Sequence, residues 1–269
     1  MADAADENTG HRGFEATMGK LDGKNVVITG SAGGMGQAAC RMFCGEGARV
    51  LGADLNGAAG KELETTLKGD GLDFRFAEVD VTSAASVGEL AATAKAEFDG
   101  VDVLYNNAGI IMGKPILETT EDEWAHVERI NSKSIFLATK AFVPLMAGRK
   151  GSIINVSSIG GIVAFENMGA YGAAKAAAAH FSRVAAVEFA PDIRVNAICP
   201  GVVDTPMPRN FTKDMDNRDQ IFETWNHEHL TGRLGRPEEV VSLALWLASD
   251  DAGFMTGAVI NVDGGYSTR

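Results

Sequence analysis

The chain has few cysteines and few basic residues for its size. Its 269 residues include 3 cysteines and 24 lysines and arginines against 36 aspartates and glutamates, so the formal net charge is −12. Three cysteines at these spacings are too few for a disulfide framework or a cysteine-rich zinc site. Nucleic acids and anionic membranes attract clustered positive charge. We therefore expect no nucleic-acid partner, no membrane partner and no metal site.

Long hydrophobic runs are also missing. No segment approaches the roughly 18 uninterrupted apolar residues of a membrane span. The N-terminal stretch MADAADENTGHRGFEATMGK has neither the basic nor the apolar region of a secretion signal. This pattern predicts a cytoplasmic protein with a flexible tail at residues 1–20 and a single domain at residues 21–269.

A glycine-rich loop follows the first predicted strand. The β-branched run NVVIT, residues 25–29, leads into GSAGGMG and then a helical pattern. Glycines at 30, 33, 34 and 36 let the backbone approach a pyrophosphate, while the start of the helix favours an anion. A tight turn between a strand and a helix has similar glycines, so the loop alone is weak evidence.

An acidic residue ends the second predicted strand. ARVLGA runs into Asp54, which lies 24 residues after Gly30, near the offset at which a carboxylate meets the adenosine ribose. That carboxylate would accept bonds from both ribose hydroxyls and repel a 2′-phosphate. The position favours NAD over NADP, although a carboxylate can also simply end a strand in a turn.

Helices and strands then alternate along the chain. The predicted elements are a helix at 56–68, a strand at 73–79, a helix at 83–98 and a strand at 101–106. Parallel neighbours need crossover helices, so this alternation predicts a doubly wound sheet with a cofactor across its carboxyl edge. Asp80 and the turn Asn106–Gly109 fall at that edge, where Asx turns would look similar.

A long helix is predicted at 121–146, with Thr120 and Glu123 as its capping pair. Asn131 lies inside it, although asparagine disfavours helix interiors because its side chain competes for backbone hydrogen bonds. We interpret Asn131 as the holder of a water that connects Lys175 to solvent. Further elements are a strand at 151–156, a helix at 168–189 and a strand at 193–199.

Tyr171 and Lys175 are four residues apart on a predicted helix, so they share one face. A nearby ammonium favours the phenolate, and we expect it to lower the pKa of Tyr171 so that the phenol can exchange a proton with an alcohol or ketone. The strand before this helix delivers Ser157 and Ser158 to its carboxyl end. In isolation, a tyrosine and a solvated lysine would be the ordinary interpretation.

Several motifs together resemble the short-chain dehydrogenase/reductase family over about residues 21–266. Thr29–Gly36 resembles its TGxxxGxG loop, Asn106–Gly109 its NNAG segment, and Pro200-Gly201 with Thr205 its PGxxxT turn. The catalytic tetrad that matches the family's is Asn131, Ser158, Tyr171 and Lys175. Ser158 is chosen over Ser157 because it lies thirteen residues before the tyrosine.

The resemblance implies an α/β fold, a single-domain Rossmann-type doubly wound sheet of seven parallel strands in the order 3-2-1-4-5-6-7, flanked by helices. It also implies a homotetramer that transfers hydride between NAD and a secondary alcohol or ketone. Tyr171 would be the acid/base, Ser158 would polarise the substrate oxygen, and Lys175 would bind the nicotinamide ribose. The implied cofactor residues are Gly30, Gly34, Met35, Gly36, Asp54, Asp80, Val81, Asn107, Ala108, Gly109, Tyr171, Lys175, Pro200, Gly201, Val203 and Thr205.

The substrate is expected to meet an insertion at 205–233. Its candidate lid residues are Met207, Phe211, Met215, Phe222 and Trp225, opposite Phe165 and Met168. Such a lid suits a bulky apolar or cyclic alcohol, such as a hydroxysteroid or an alicyclic ring. His227 and His229 are predicted to lie in a solvated loop. The alternatives are a 3-oxoacyl carrier-protein reductase and a non-catalytic dinucleotide sensor.

Overall fold

The computed structural model of the protein describes residues 19–268. The predicted tail at 1–20 lies outside the described residues except for Gly19 and Lys20. Lys20 donates from its backbone N–H to the Glu46 carboxylate (2.8 Å) and from its Nζ to Asp251 (2.7 Å). These two residues therefore belong to the folded domain.

The sheet has seven parallel strands in the order β3-β2-β1-β4-β5-β6-β7. The strands are β1 Asn25–Thr29, β2 Arg49–Asp54, β3 Phe74–Glu78, β4 Val103–Asn106, β5 Gly151–Val156, β6 Ile193–Pro200 and β7 Val259–Val262. This order confirms the predicted fold class. Strand order reverses at β1, which pairs with both β2 and β4, so the carboxyl ends of β1 and β4 form the crevice where ligands bind such sheets.

Helices cover both faces of the sheet. They are α1 Gly34–Gly45, α2 Gly57–Gly69, α3 Ala84–Phe98, α4 Glu121–Glu128, α5 Ser134–Phe142, α6 Gly169–Phe189, α7 Pro206–Phe211, α8 Arg218–Glu228 and α9 Pro237–Ala248. Alternate side chains of β1 enter opposite cores: Val26 and Ile28 pack under α1 and α9, and Val27 packs under α3 and α5. Burial of each such side chain contributes about 1.5–3 kcal/mol to folding.

Most predicted boundaries differ from the structure by only one or two residues. Asn56 and Ser83 each lie just before a helix, because their side chains accept hydrogen bonds from the first turn, at Ala59 N–H (3.1 Å) and Ser86 N–H (3.3 Å). The strands predicted at 73–79 and 101–106 are shorter in the structure, as β3 and β4.

The prediction of a single helix at 121–146 is wrong. Its start is as expected, since Thr120 and Glu123 form a capping box. A π-helical turn at Arg129–Lys133 then separates α4 from α5, and a 3₁₀ turn follows at Val143–Met146. Pro144 lacks the N–H that a continuing α-helix needs. The π turn contains Asn131, whose side chain bonds to another segment of the chain.

Candidate active site

A cavity of about 810 Å³ opens at the carboxyl edge of the sheet, beneath α7 and α8. This volume suits a cofactor or a drug-sized ligand. The predicted residues that line it are Gly30, Gly34, Met35, Asp54, Asp80, Val81, Asn107, Ala108, Gly109, Ser158, Tyr171, Lys175, Pro200, Gly201, Val203 and Thr205. Gly36 and Asn131 do not line it. The structure thus brings both ends of the predicted site to one cavity.

The glycine loop presents backbone rather than side chains to the cavity. Gly30 has a φ of +68°, and a Cβ there would lie 2.7 Å from the Cα of Ala108. Only glycine therefore fits where the loop meets the end of β4. Among the described residues, no side chain caps the start of α1 at Gly34. Its first-turn N–H groups are oriented to receive an anion, as a pyrophosphate site requires.

Gly36 has a packing role that the motif alone did not predict. It is buried, and a Cβ on it would collide with the carbonyl oxygen of Gly30. Gly36 therefore lets α1 approach the loop from behind, and its contact with a cofactor would be indirect.

Asp54 lies at the end of β2 beside the glycine loop. Its Oδ2 accepts from Ala32 N–H (3.0 Å) and its Oδ1 from Asn56 N–H (2.9 Å). Each carboxylate oxygen has a second lone pair, so Asp54 can still accept hydrogen bonds from ribose hydroxyls. The same negative charge would repel a 2′-phosphate.

Asn107 joins the end of β4 to the glycine loop. Its Nδ2 donates to the carbonyls of Thr29 (3.2 Å) and Gly30 (3.0 Å), while Thr29 Oγ1 accepts from the backbone N–H groups of Asn107 and Ala108 (both 3.2 Å). Within residues 19–268 the buried Oδ1 of Asn107 has no hydrogen-bond partner. An unpaired buried acceptor in a cavity wall fits a ligand that supplies a donor.

Asp80 accepts hydrogen bonds from both the backbone N–H (2.8 Å) and the hydroxyl (2.7 Å) of Thr82 at its Oδ1. These bonds lower the pKa of Asp80, so it is ionised at neutral pH. Its position in the cavity wall, next to Val81, is compatible with the predicted contact to adenine.

The two serines at the end of β5 have different environments. Ser157 is buried and its Oγ donates to the carbonyl of Lys175 (2.7 Å), so its hydroxyl is committed to the fold. Ser158 is partly exposed to the cavity, and its Oγ accepts from Gly160 N–H (3.0 Å). Ser158 also interacts with Tyr171, where it opposes the rise that burial causes in the pKa of the phenol. This geometry supports the choice of Ser158 as the substrate-binding serine.

The expected lowering of the Tyr171 pKa is not found. Burial raises the pKa of Tyr171, and the interaction with Ser158 only partly opposes it. Lys175 is itself buried, which lowers its pKa to about 8, and its Nζ donates to the Val156 carbonyl (2.9 Å). The Nζ lies 5.9 Å from the centre of the Tyr171 ring. Desolvation of both groups therefore outweighs the attraction between ammonium and phenolate.

Asn131 is fully buried behind the cavity wall. Its Oδ1 accepts from Ile110 N–H and its Nδ2 donates to Ile110 O, both at 3.0 Å. A Cβ on Gly109 would lie 2.8 Å from this Oδ1 and 3.2 Å from Lys175 Nζ. Asn131 thus holds the segment after β4 against Lys175. Its predicted role with a water stays a prediction.

The lid prediction is correct for some residues only. Met207, Trp225, Phe165 and Met168 line the cavity, whereas Phe211, Met215 and Phe222 do not. Phe222 packs edge-on against Trp225 (5.2 Å between ring centroids) and contacts two arginine side chains, because it lies on another face of α8.

His229 is 2 % exposed, so the prediction of a solvated loop is wrong for it. Its Nε2 accepts from Val202 N–H (3.2 Å), and its Nδ1 lies 2.5 Å from the carbonyl oxygen of Trp225. His227 is exposed. His229 therefore ties the end of α8 to the turn after β6. Among residues 19–268, no cluster of His, Cys, Asp and Glu is arranged to hold a metal ion.

Sequence reasoning missed Glu228 and Tyr266, which also line the cavity. Tyr266 follows Gly264 and Gly265, whose φ values of +58° and +81° turn the chain back after β7. Two consecutive glycines are typical of a turn, but the sequence does not show that the next side chain re-enters the site.

Comparisons with known proteins agree with this geometry. A family model described as enoyl-(acyl carrier protein) reductase matches residues 30–267. Cyclopentanol dehydrogenase of Comamonas testosteroni is 38% identical over 94% of this chain and 100% of that protein. Dehydrogenase/reductase SDR family member 6 of Danio rerio is 40% identical over 93% of this chain and 99% of that protein.

Solved structures show the same similarity. Levodione reductase has a TM-score of 0.88 to this protein at 30% sequence identity, and the aligned region spans 92% of this chain and 99% of that chain. The aldohexose dehydrogenase of Thermoplasma acidophilum has a TM-score of 0.85 at 31% identity and covers 94% of this chain and 97% of that chain. The protein belongs to the short-chain dehydrogenase/reductase family of oxidoreductases, whose dehydrogenases use nicotinamide dinucleotides.

No helix among the described residues is long and apolar enough to cross a membrane.

Proposed function

We propose that the protein is an NAD-dependent oxidoreductase that interconverts a secondary alcohol and a ketone. The observation that carries this proposal is a single cavity that holds both the glycine loop with Asp54 and the pair Ser158 and Tyr171. The glycine loop, the start of α1, which no side chain of residues 19–268 caps, and Asn107 Oδ1, which has no hydrogen-bond partner among the same residues, fit a dinucleotide.

Tyr171 would be the general acid/base of the reaction. In ketone reduction its phenol donates a proton to the substrate oxygen, which Ser158 polarises. In oxidation the phenolate takes the hydroxyl proton as hydride leaves the carbon. A bound nicotinamide supplies the hydride acceptor or donor. The raised pKa of Tyr171 keeps the phenol protonated at neutral pH. The nearby ammonium of Lys175 would stabilise the phenolate when it forms.

Asp54 supports NAD over NADP because it lines the cavity beside the glycine loop, its oxygens can accept further hydrogen bonds from ribose hydroxyls, and its charge opposes a 2′-phosphate. The test is a comparison of kcat/KM for NAD and for NADP with the same alcohol. We expect the NAD value to be far larger. Similar values with the two cofactors would remove Asp54 as the selecting residue.

The substrate pocket is mostly apolar. Its walls include Ile110, Ile159, Met168, Met207 and Trp225. These walls and the similarity to a cyclopentanol dehydrogenase favour a bulky or alicyclic alcohol, with hydroxysteroids as the larger candidates. A screen of NAD reduction across cyclic, steroid and linear secondary alcohols tests this. Preference for linear alcohols would contradict it.

The same screen separates the alternatives. A 3-oxoacyl carrier-protein reductase must bind an acidic carrier, which the net charge of −12 disfavours. A dinucleotide sensor would bind NAD without turning over any alcohol, and the presence of Ser158, Tyr171 and Lys175 in one cavity argues against it.

We also propose that the protein is a homotetramer. The helices flanking Asn131 and the helix that carries Tyr171 expose large apolar side chains: Trp124 44 %, Phe136 46 %, Val184 43 % and Val187 81 %. A second copy of the chain could cover these faces. Light scattering at micromolar concentration should give four times the monomer mass, and a monomer would contradict the proposal.

A further inference from the structure

We propose that Glu228 and Tyr266 anchor a second hydroxyl group of the substrate, away from the carbon that reacts. This inference rests on the proposed function, since it assigns a substrate class to the same cavity. The preferred alcohol would then be a cyclic diol or a hydroxyketone rather than a simple hydrocarbon alcohol.

The two residues form a hydrogen-bonded pair in the cavity wall. The Tyr266 hydroxyl donates to Glu228 Oε2 (2.7 Å), and both residues line the cavity that holds Ser158 and Tyr171. Both side chains are only partly buried. Within residues 19–268, Glu228 Oε1 makes no hydrogen bond. A substrate hydroxyl can therefore donate to the carboxylate without breaking the existing bond.

The Tyr266 side chain is held in place from several sides. Its ring packs edge-on against Phe165 (5.6 Å between centroids) and against His229 (5.2 Å). Its backbone N–H donates to Asp263 O (3.0 Å), and the Asp263 carboxylate accepts from the N–H groups of Gly265 (3.0 Å) and Ser267 (2.9 Å). The phenol thus has little freedom to turn away from the cavity, so the pair is preorganised for a ligand.

Glu228 occupies a costly position for a carboxylate. It is the last residue of α8, where the helix dipole disfavours negative charge. No lysine or arginine among the described residues forms an ion pair with it. The next residue, His229, fixes the end of the helix through Val202 N–H. A hydrogen-bond donor that arrives with the substrate would explain why a carboxylate stands at this position without a cation.

The charge of this pair also defines what the pocket rejects. Glu166 also lines the cavity, so its wall carries a second carboxylate besides that of Glu228. An anionic group on the ring would be repelled, whereas a neutral hydroxyl would be bound.

The test compares cyclohexanol with the 1,2-, 1,3- and 1,4-cyclohexanediols as substrates of the full-length enzyme with NAD. We expect at least one diol to have a kcat/KM about tenfold above that of cyclohexanol, the factor that a hydrogen bond of about 1.4 kcal/mol supplies. In Glu228→Leu the kcat/KM of this diol should equal that of cyclohexanol. Glu228→Gln, which keeps an acceptor without the charge, should retain part of the advantage.

Glu223→Leu is the matched control, because Glu223 is an exposed residue of the same helix that does not line the cavity. It should keep the wild-type ratio of diol to cyclohexanol. Tyr266→Phe frees Glu228 Oε2 while keeping the ring, so it tests the pair independently if Glu228→Leu loses stability. In this variant the ratio of kcat/KM for the diol to kcat/KM for cyclohexanol should change. A purely structural tyrosine would leave that ratio unaltered.

Calorimetric titration of each diol into the enzyme with NADH measures binding without turnover. In one outcome no alcohol is oxidised, but a diol binds and Glu228→Leu weakens that binding. The proposed role of Glu228 and Tyr266, the diol anchor, is then supported, and the proposed reaction is contradicted. If alcohols are oxidised and no diol is preferred, or if the preference survives Glu228→Leu, the anchor is overturned and the reaction stands.

Discussion

The two ends of the cavity are held together by different interactions. At the cofactor end, which comprises the glycine loop, Asp54 and Asn107, side chains bond to backbone groups of neighbouring strand ends. At the substrate end, which comprises α7, α8 and Tyr266, most contacts are between side chains: Tyr266 donates to Glu228 and packs against Phe165. His229, directly after α8, accepts from the backbone N–H of Val202. The cofactor end is thus part of the sheet, whereas the substrate end depends on a few aromatic and ionic side chains.

Because of this difference, we expect substitutions at the two ends to have different effects. Any change at the cofactor end disturbs the backbone of the sheet edge, so cofactor binding and stability should fall together. A change at the substrate end should alter substrate preference with less effect on the fold. Four predictions test the distinction, beginning with the residue where the two ends meet.

Tyr171→Phe removes the phenol oxygen, which is the enzyme atom that gives and takes the proton in the proposed reaction. We expect kcat to fall by about 10²- to 10⁴-fold, the usual contribution of a general acid or base, with NAD binding largely retained. Turnover assays and a titration with NAD measure the two effects. Tyr105→Phe is the control, because Tyr105 is buried in the core and its hydroxyl has no partner among the described residues. Near-normal turnover in Tyr171→Phe would remove it from the mechanism.

Gly36→Ala should disrupt the cofactor end. Its Cβ would collide with the Gly30 carbonyl, so the loop or α1 must shift, at a cost of about 1–3 kcal/mol in the free energy of unfolding. We expect weaker NAD binding together with a lower Tm. Gly45→Ala lies on the same helix with open space around the added methyl group and should leave both unchanged or slightly raise Tm. Equal behaviour of the two variants would contradict the packing role of Gly36.

His229→Phe should affect the substrate end first. It keeps a ring but leaves the Val202 N–H without its acceptor, so α8 is held less firmly. We expect the KM for the alcohol to rise by up to about tenfold, equivalent to about 1.4 kcal/mol, with a smaller change in the KM for NAD. His227→Phe, at an exposed position of the same helix, is the control. A larger effect on NAD than on the alcohol would reverse the comparison.

The lowered pKa of Lys175 predicts that the stability of the fold depends on pH. Burial lowers its pKa in the folded protein from 10.5 to about 8. Below about pH 8 both states carry the proton and the burial cost is complete. Between about pH 8 and pH 10.5 only the unfolded state binds the proton, so stability rises with pH.

Compared with Lys175→Met, the cofactor-free wild type should therefore gain at most about 1.4 kcal/mol per pH unit in that range. Denaturant unfolding of both proteins at several pH values measures the difference, and the subtraction cancels the ionisable groups that do not interact with Lys175. A difference that stays constant or decreases would show that Lys175 is not desolvated.

The sequence predicted which residues gather at the cofactor end of the cavity, because the signals there are local. Glycine spacing, an acid at the end of β2 and polar residues after β4 each follow directly from a strand, and parallel strands bring their ends to one edge. The interior of the long helix was not predictable in the same way. Its π turn positions Asn131 to bond with Ile110, a contact that no local pattern reveals.

The substrate end was predicted only in part. Composition indicated an apolar lid, but not which face of α8 would meet the cavity, so Phe222 was assigned wrongly and Glu228 was missed. His229 looked like a surface residue because its partner, Val202, lies 27 residues away. The effect of burial on Tyr171 was also missed, since spacing shows a neighbouring charge but not the loss of solvent.

The most direct test of the proposed reaction follows the hydride itself. The enzyme is incubated with NAD and cyclopentanol that carries deuterium at its carbinol carbon, and the NADH is analysed by mass spectrometry. We predict that the NADH gains one deuterium for each molecule of cyclopentanone formed. Ketone formation without deuterium in the NADH, or no reduction of NAD with any cyclic alcohol while NAD binds, would contradict the account.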